Sequence, residues 1–212
     1  MAMSEPLRQG RAGFRPLVAF DFDGTLTYRD SFLAYLSWLA GPWGYWCGLS
    51  GLAPSGLAWL RDRDRARVKE ALVKRFMAGA TRQDIERSAR AFATTHSAAL
   101  LRPDALRCWW NWRERGARLI IVTASPEIIV APFAHGLGAD MLIGTRLAFD
   151  ASDRVTGRLE GANCRGAEKV SRLREAFGDA VRLEAAYGDS DGDTQMLAIA
   201  DEPGLRVFGA RP

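Results

Sequence analysis

The sequence predicts an α/β protein in which a parallel sheet carries an inserted helical module. Apolar, strand-like runs at 17–22, 119–123 and 182–187 alternate with helix-like patterns, and this alternation is typical of a parallel sheet. Polar residues follow all three runs, where open α/β sheets form their ligand crevice. About a hundred residues separate the first run from the second. A single crossover is much shorter than that, so we expect a second module between the two strands.

The composition is that of a folded globular chain. Its 212 residues are 48% hydrophobic and 25% charged, which allows one core with an inserted module and argues against disorder. The net charge of +4 is mild, and no nucleic-acid-binding motif stands out, so we expect an anionic small molecule and no nucleic acid as partner. Cys47, Cys108 and Cys164 are odd in number and lack metal-ligand spacing. They predict reduced thiols in a cytoplasmic protein. Residues 1–16 have no continuous apolar core, which predicts no secretory signal.

Two carboxylates follow the first strand. Asp21 and Asp23 lie on either side of Phe22, after four apolar residues. If the strand continues through Phe22, both side chains project in the same direction, and each raises the pKa of the other unless a cation compensates. Such a pair suits Mg²⁺ chemistry, in which one carboxylate attacks or binds the metal and its neighbour moves a proton. A simple turn at a strand end would explain only one of the two aspartates.

Further polar residues follow the later strands. Thr123 ends the second strand, Lys169 opens a helical pattern, and the third strand is followed by Asp189, Asp191 and Asp193. In this order, and together with the first aspartate pair, these segments resemble the haloacid dehalogenase superfamily of phosphatases, over roughly the first thirty and the last hundred and ten residues. The resemblance implies a Rossmann-like parallel sheet core with an inserted helical cap of the phosphoserine-phosphatase-like subgroup.

The resemblance also implies catalytic roles. Asp21 would be the nucleophile that forms an aspartyl-phosphate, and Asp23 would be the general acid and base. Mg²⁺ would be held by Asp21, the backbone carbonyl of Asp23 and Asp189, with waters and the phosphate completing six oxygens.

Three further residues would support the phosphate. Thr123 would donate its hydroxyl to a phosphoryl oxygen, and Lys169 would neutralise charge that develops in the transition state. Asp193 would orient Lys169 or a metal-bound water from outside the ligand shell. Whether Asp191 shares that work stays open.

The resemblance places the helical cap at about 32–101 and the hydrolase core at 1–31 and 102–212. Within the cap, Thr81 followed by Asp84 is typical of a helix start. In the core, residues 104–115 predict a helix with packed tryptophans, and residues 141–160 predict a β-hairpin. Apolar residues recur at helical spacing in the cap at Val68, Leu72, Val73, Phe76, Ile85, Ala89 and Phe92.

The substrate is less well defined by the sequence. Asp30, nine residues after Asp21, would match the acid that binds the amino group in phosphoserine phosphatases, or it caps the first cap helix. The segment Thr123-Ala124-Ser125-Pro126 lacks the glycine pair common in those enzymes. Segments 30–36 and 163–170 and the Ser125-Pro126 pair are more similar to the bacterial subgroup with phosphatidylglycerophosphatase C.

The sequence therefore predicts a Mg²⁺-dependent phosphomonoester hydrolase. Its substrate is either a lipid phosphate such as phosphatidylglycerophosphate or a small soluble phosphate such as phosphoserine. A non-catalytic module that only accepts phosphate on Asp21 is an alternative, but Asp23 as a general acid argues for turnover. A dehalogenase is a third possibility, and the acidic cluster at Asp189 and Asp193 counts against it.

The beginning of the cap has an unusual composition. Residues 31–60 contain no charged side chain, and residues 61–75 then contain seven basic and three acidic ones, a net charge of +4. Tryptophan-rich apolar surface beside arginine is typical of peripheral contact with an anionic membrane, whereas the glycines and prolines in the stretch argue against a spanning helix. The alternative is a helical hairpin that packs internally. The four tryptophans of the stretch are Trp38, Trp43, Trp46 and Trp59.

Overall fold

A six-stranded sheet forms the centre of the molecule, which the computed structural model describes over residues 15–50 and 65–212. The strands are β1 (Leu17–Phe20), β2 (Arg118–Pro126), β3 (Met141–Phe149), β4 (Val155–Glu160), β5 (Leu183–Gly188) and β6 (Ala200–Leu205). The helices of these ranges are α1 (Ser31–Ser50), α2 (Arg65–Phe76), α3 (Arg82–Leu100), α4 (Pro103–Glu114), α5 (Glu127–Gly136), α6 (Ala167–Phe177) and α7 (Thr194–Leu197).

The strand order is β4-β3-β2-β1-β5-β6, and all neighbours are parallel except β3 and β4. This arrangement confirms the predicted α/β fold class, and β3 with β4 forms the predicted hairpin. The chain builds the sheet outward from β1 on one side and then crosses to β5 on the other. The carboxyl ends of β1 and β5 therefore flank the switch point at which open α/β sheets bind ligands.

Helices cover both faces of the sheet. Val18, Ala19 and Phe20 of β1 are fully buried, as expected for a central strand with both faces covered. One hydrophobic cluster joins Phe20 to α4, α5 and the three helices α1, α2 and α3. A second cluster packs α6 and α7 against the opposite face through side chains such as Leu173 and Met196.

The helices α1, α2 and α3 lie between β1 and β2, where the sequence predicts a helical insert. The chain enters and leaves the insert at one place, because Thr27 and Leu101 form an antiparallel bridge. The Thr81 hydroxyl accepts the backbone N–H of Asp84 at 3.2 Å and so caps α3 at the predicted start. The division into a core at 1–31 and 102–212 and a cap at 32–101 stays a prediction.

Helix α1 is interrupted near its middle. Gly41 has φ 68° and ψ 165°, a conformation that glycine adopts readily, and Pro42 follows without an N–H to continue the ladder. Of the predicted uncharged stretch, residues 51–60 with Trp59 lie outside the described residues, as do Arg61 and Arg63 of the basic stretch. In the described ranges, no helix has both the length and the apolar character needed to cross a bilayer.

Two strand assignments differ from the prediction. β1 ends at Phe20 rather than Phe22, and residues 22–26 form a wide turn in which Gly24 has φ +79°. Asp21 and Asp23 therefore converge through this turn and not along one extended strand. Strand β6 was not predicted, because an edge strand with one open side lacks the apolar pattern of a buried strand.

Candidate active site

The ammonium group of Lys169 lies at the centre of the site. Lys169 is in the first turn of α6 and is 2% exposed. Its Nζ donates to Asp21 Oδ1 at 2.6 Å, to Asp193 Oδ1 at 2.6 Å and to the carbonyl oxygen of Val122 at 2.7 Å. These contacts use all of its donors. Burial by itself lowers the pKa of Lys169, but Asp21 and Asp193 outweigh it and raise the pKa, so the group stays charged.

Asp193 holds Lys169 from one side and the loop after β5 from the other. Its Oδ2 accepts the backbone N–H groups of Asp189 and Ser190, at 3.2 and 3.0 Å, and the Ser190 hydroxyl at 3.1 Å. A Cβ on Gly188 would lie 2.4 Å from the Cβ of Asp193, so this approach requires glycine. Because donors occupy both carboxylate oxygens, Asp193 is placed to orient Lys169 rather than to bind an ion directly.

Asp21 follows β1 with its carboxylate almost fully buried. Its Oδ2 lies 3.5 Å from the Thr25 hydroxyl, a long contact, while Oδ1 accepts from Lys169. Burial raises the pKa of Asp21 to about 7, with Lys169 opposing and Asp193 adding to the rise. Near pH 7 the Asp21 carboxyl group is therefore partly protonated even beside Lys169, and a further cation would favour its charged form.

Asp189 provides a second carboxylate beside Asp21. No described residue donates a hydrogen bond to its side chain, and burial together with Asp193 raises its pKa. The carboxylate packs against the backbone of Gly24, where a Cβ would lie 2.1 Å from Asp189 Oδ2. The glycine of the turn therefore makes room for Asp189.

These carboxylates suit a divalent metal ion. Oxygen atoms of Asp21, Asp189 and Asp193 all lie within 4.8 Å of one another. Three ionised carboxylates and the Lys169 ammonium carry a net charge of −2, which one Mg²⁺ would balance, and hard oxygen ligands are those Mg²⁺ prefers. Asp21 and Asp189 have the free carboxylate edges to hold the ion. The backbone carbonyl of Asp23 as a further ligand stays a prediction.

Asp23 is held by two donors from different parts of the chain. The backbone N–H of Ser31, at the start of α1, donates to Oδ1 at 2.6 Å, and the Ser125 hydroxyl donates to Oδ2 at 2.5 Å. Ser125 is 3% exposed and lies at the end of β2. The orientation of Asp23 therefore depends on both the helical insert and the second strand.

Thr123 lies close to the other site residues but is not among the residues that line the cavity. Its side chain is fully buried, and its hydroxyl accepts the backbone N–H of Ser125 at 3.0 Å. Ser125, two residues later, does line the cavity. The Ser125 hydroxyl thus contacts Asp23 directly, and a contact of the Thr123 hydroxyl with a phosphoryl oxygen stays a prediction.

Asp30 lines the mouth of the cavity and caps α1. Its Oδ1 accepts the backbone N–H of Leu33 at 2.8 Å, which is the geometry of a helix N-cap. Asp191 points outward, with 84% of its side chain exposed, and pairs with Arg165.

Lys69 reaches from α2 into the same cavity. Its ammonium donates to Asn163 Oδ1 at 2.6 Å and to the carbonyl oxygen of Ala124. Burial lowers the pKa of Lys69 to about 8, while Asp23 and Asp30 oppose the shift. Lys69 thus connects the helical insert to the carboxyl end of β2 within the site.

The reacting groups line a cavity of about 340 Å³. A larger cavity of about 960 Å³ lies between α3, α5 and β3 and contains neither Lys169 nor the three clustered aspartates, so we assign the chemistry to the smaller one. The sequence did not single out Ser125, Lys69 and Asn163 as site residues. Ser125 lies two residues after Thr123, and Asn163 begins segment 163–170, which the sequence analysis had already compared with a phosphatase subgroup. Of the three, only Lys69 had no local sequence pattern that pointed to the site.

Comparison with known proteins agrees with this geometry. A model of the haloacid dehalogenase-like hydrolase family matches residues 18–198. Protein CicA of Caulobacter vibrioides (strain NA1000 / CB15N) is 56% identical over 214 residues, covering 100% of this chain and 95% of that protein. A phosphoserine phosphatase of Halobacterium salinarum is 30% identical over 191 residues, covering 87% of this chain and 82% of the relative.

A solved structure shares the fold. The crystal structure of a protein with unknown function from Bordetella pertussis Tohama I aligns with a TM-score of 0.76 at 22% identity. The alignment covers 89% of this chain and 88% of the other.

Mg²⁺ affinity should depend on pH through Asp21. Because burial raises the pKa of Asp21 to about 7, a proton competes with the metal below that pH. We expect the apparent Mg²⁺ affinity to fall by up to about tenfold for each pH unit below about 7 and to level off above it. Titration calorimetry on chelator-treated protein between pH 6 and 8 measures this. Asp189→Asn should weaken binding at every pH, whereas Asp191→Asn, outside the cluster, should not. A pH-independent affinity would contradict the assignment of Asp21 as a ligand.

Ser125 should act as a positioning residue for Asp23. Ser125→Ala removes the donor to Asp23 Oδ2, and we expect kcat to fall by about 10- to 100-fold with little change in KM or in thermal stability. Ser125→Thr keeps the hydroxyl and should restore most of the rate. Equal losses in the two variants would show that shape, not the hydrogen bond, matters at this position.

Proposed function

The chain belongs to the haloacid dehalogenase-like hydrolases, and on this premise we propose that it is a Mg²⁺-dependent phosphomonoester hydrolase that acts through an aspartyl-phosphate. The observation that carries the proposal is the buried ammonium of Lys169 between Asp21 and Asp193, with the carboxylate of Asp189, to which no described residue donates a hydrogen bond, beside them. This arrangement holds a buried ammonium against the carboxylate nucleophile and leaves Asp189 to hold Mg²⁺, and the ammonium and the ion together would offset the charge of the phosphoryl group.

In the first step, a carboxylate oxygen of Asp21 attacks phosphorus and the bond to the leaving oxygen breaks. Asp23 gives its proton to that oxygen, so the alcohol leaves uncharged. Lys169 offsets the negative charge on the attacking carboxylate and the phosphoryl oxygens. The contacts with Ser31 and Ser125 keep the Asp23 carboxyl group turned toward the cavity.

In the second step, water attacks phosphorus and the bond between phosphorus and the Asp21 oxygen breaks. The Asp23 carboxylate takes the proton of the water, which regenerates the acid for the next cycle and releases inorganic phosphate. Mg²⁺, held by Asp21 and Asp189, would supply charge neutralisation for the phosphoryl oxygens.

We propose a lipid phosphate such as phosphatidylglycerophosphate as the substrate, met at the cytoplasmic face of a membrane. Two observations support a substrate other than phosphoserine. Asp30 serves as a helix cap, which occupies one oxygen of the acid expected to bind an amino group. Ser125 stands in the segment where phosphoserine phosphatases carry a glycine pair. The described cysteines Cys47, Cys108 and Cys164 are free, in agreement with a reducing compartment.

A small soluble phosphate is the second candidate. The phosphoserine phosphatase of Halobacterium salinarum aligns with 87% of this chain, which favours an amino acid phosphate. A panel of esters, assayed with Mg²⁺ and with EDTA, decides between the two. We expect hydrolysis of lipid phosphates in mixed micelles to exceed that of phosphoserine in kcat/KM, and EDTA to abolish both. A clear preference for phosphoserine would make the second candidate correct.

Substitution of Asp21 and of Asp23 should have different effects on turnover. Asp21→Asn should abolish turnover, because an amide cannot serve as the nucleophile. Asp23→Asn should slow turnover by about 10²- to 10⁴-fold and leave Mg²⁺ binding largely intact. Steady-state rates and trapping of ³²P-labelled protein measure these effects. Wild-type rates in Asp23→Asn would contradict its role, and labelling of the wild-type protein without any release of phosphate would favour a module that only accepts phosphate.

A further inference from the structure

The described part of the insert exposes a concentrated apolar surface on α1. Among the described residues, five of the eight exposed large apolar side chains lie on this helix. The most exposed are Trp43 at 82% and Trp46 at 69%, followed by Leu39 at 41%. We call Trp43 and Trp46, which follow the break at Gly41, the tryptophan face. Helix α1 contains no charged residue, so no ionic group of this helix interrupts the surface.

Packing on the other side of α1 fixes the orientation of this face. The ring of Tyr45 stacks on Phe76 of α2 with centroids 5.8 Å apart. Gly48 lies so close to the same ring that a Cβ would be 2.3 Å from it. Because Tyr45 and Gly48 already occupy the side against α2, Trp43 and Trp46 face away from the protein. They are three residues apart and so share one side of the helix.

Positive charge lies next to this apolar surface. Helix α2 has five basic residues, of which Arg65 and Lys69 line the active-site cavity. Lys74 packs its Cα and Cβ against Gly157 of β4, whereas Arg75 is exposed and its guanidinium lies 5.9 Å from the centre of the Phe76 ring. The Arg75 guanidinium therefore adjoins the part of α1 that carries the tryptophans, because Tyr45 contacts both Phe76 and Trp46. An indole-rich surface beside such charge is complementary to an anionic lipid bilayer.

We propose that the tryptophan face docks peripherally on an anionic membrane, with Trp43 and Trp46 at the level of the headgroups and the end of α2 over the lipid phosphates. The break at Gly41 and the short helical stretch after it fit a segment lying in the interface. The same helix begins at Ser31, which donates to Asp23. Docking would bring the cavity close to the lipid surface, and this last consequence rests on the proposed function.

Co-sedimentation with vesicles of phosphatidylcholine containing phosphatidylglycerol tests the docking. We expect the wild-type protein to bind these vesicles at low salt and to release them at high salt. The double variant Trp43→Ala/Trp46→Ala should bind about tenfold less tightly. Trp110→Ala is the matched control, since Trp110 is 44% exposed on α4 of the core, and its binding should equal that of the wild type.

A charge variant separates the two parts of the surface. Arg75→Gln should weaken binding to phosphatidylglycerol vesicles and leave the weak binding to pure phosphatidylcholine unchanged. Quenching of tryptophan fluorescence by brominated acyl chains in the wild-type protein needs no substitution. We expect quenching that disappears in the tryptophan double variant and persists in Trp110→Ala.

Catalysis is measured separately, so that docking and function fail independently. Hydrolysis of p-nitrophenyl phosphate should be unchanged in the tryptophan double variant, and Asp21→Asn should bind vesicles as the wild type does. Absence of vesicle binding at low salt would overturn the docking proposal whatever the enzymatic result. So would a wild-type dimer that the double variant dissociates, because a second copy of the chain would then cover the face.

Discussion

One buried ammonium group organises the candidate site. Burying the charge of Lys169 is costly unless it is paired, and three acceptors from different parts of the chain surround it. Asp21 follows β1, Val122 belongs to β2, and Asp193 follows β5. The ammonium therefore ties the carboxyl ends of three strands to α6. Removing any one partner would leave a buried charge incompletely satisfied, which makes this arrangement both rigid and difficult to vary.

The same pairing leaves an unbalanced negative charge. Asp193 is saturated by Lys169 and by the loop donors, while Asp189 receives no donor from the described residues. Asp21 has a raised pKa in spite of Lys169. An excess of carboxylate beside a fixed cation is unstable without a further positive charge, and it suits chemistry in which a metal ion and a phosphoryl group share the space. The same set of charges therefore holds Lys169 in place and leaves the Asp189 carboxylate available to a metal ion.

The helical insert takes part in the site rather than only covering it. The first N–H of α1 donates to Asp23, and Lys69 of α2 reaches the end of β2 and Asn163. A displacement of these helices would thus change the surroundings of the general acid. The exposed tryptophans lie farther along the same α1 helix. This helix therefore connects the outer surface of the insert with the general acid in the cavity.

The amino-acid sequence was sufficient for the α/β fold class and for most of the charged residues of the site. Asp21, Lys169, Asp189 and Asp193 follow apolar runs or begin a helix, and the carboxyl ends of parallel strands meet at one edge of a sheet. The local sequence pattern therefore predicted that these residues lie close together. It failed where the backbone departs from a regular strand, as in the turn after Phe20, and at the edge strand β6, which has little apolar character.

The tertiary structure decided which neighbours complete the site and which surfaces remain exposed. Ser125 meets Asp23 across 102 positions, and Lys69 meets Asn163 across 94. No local pattern encodes contacts at such separations, because they depend on how the insert returns to the sheet. The direction of Trp43 and Trp46 was equally undetermined, since an uncharged helix gives no polar side as a guide. The contacts of Tyr45 and Gly48 with Phe76 turned these rings outward, because the close helix approach at Gly48 permits only one side of α1 to face α2.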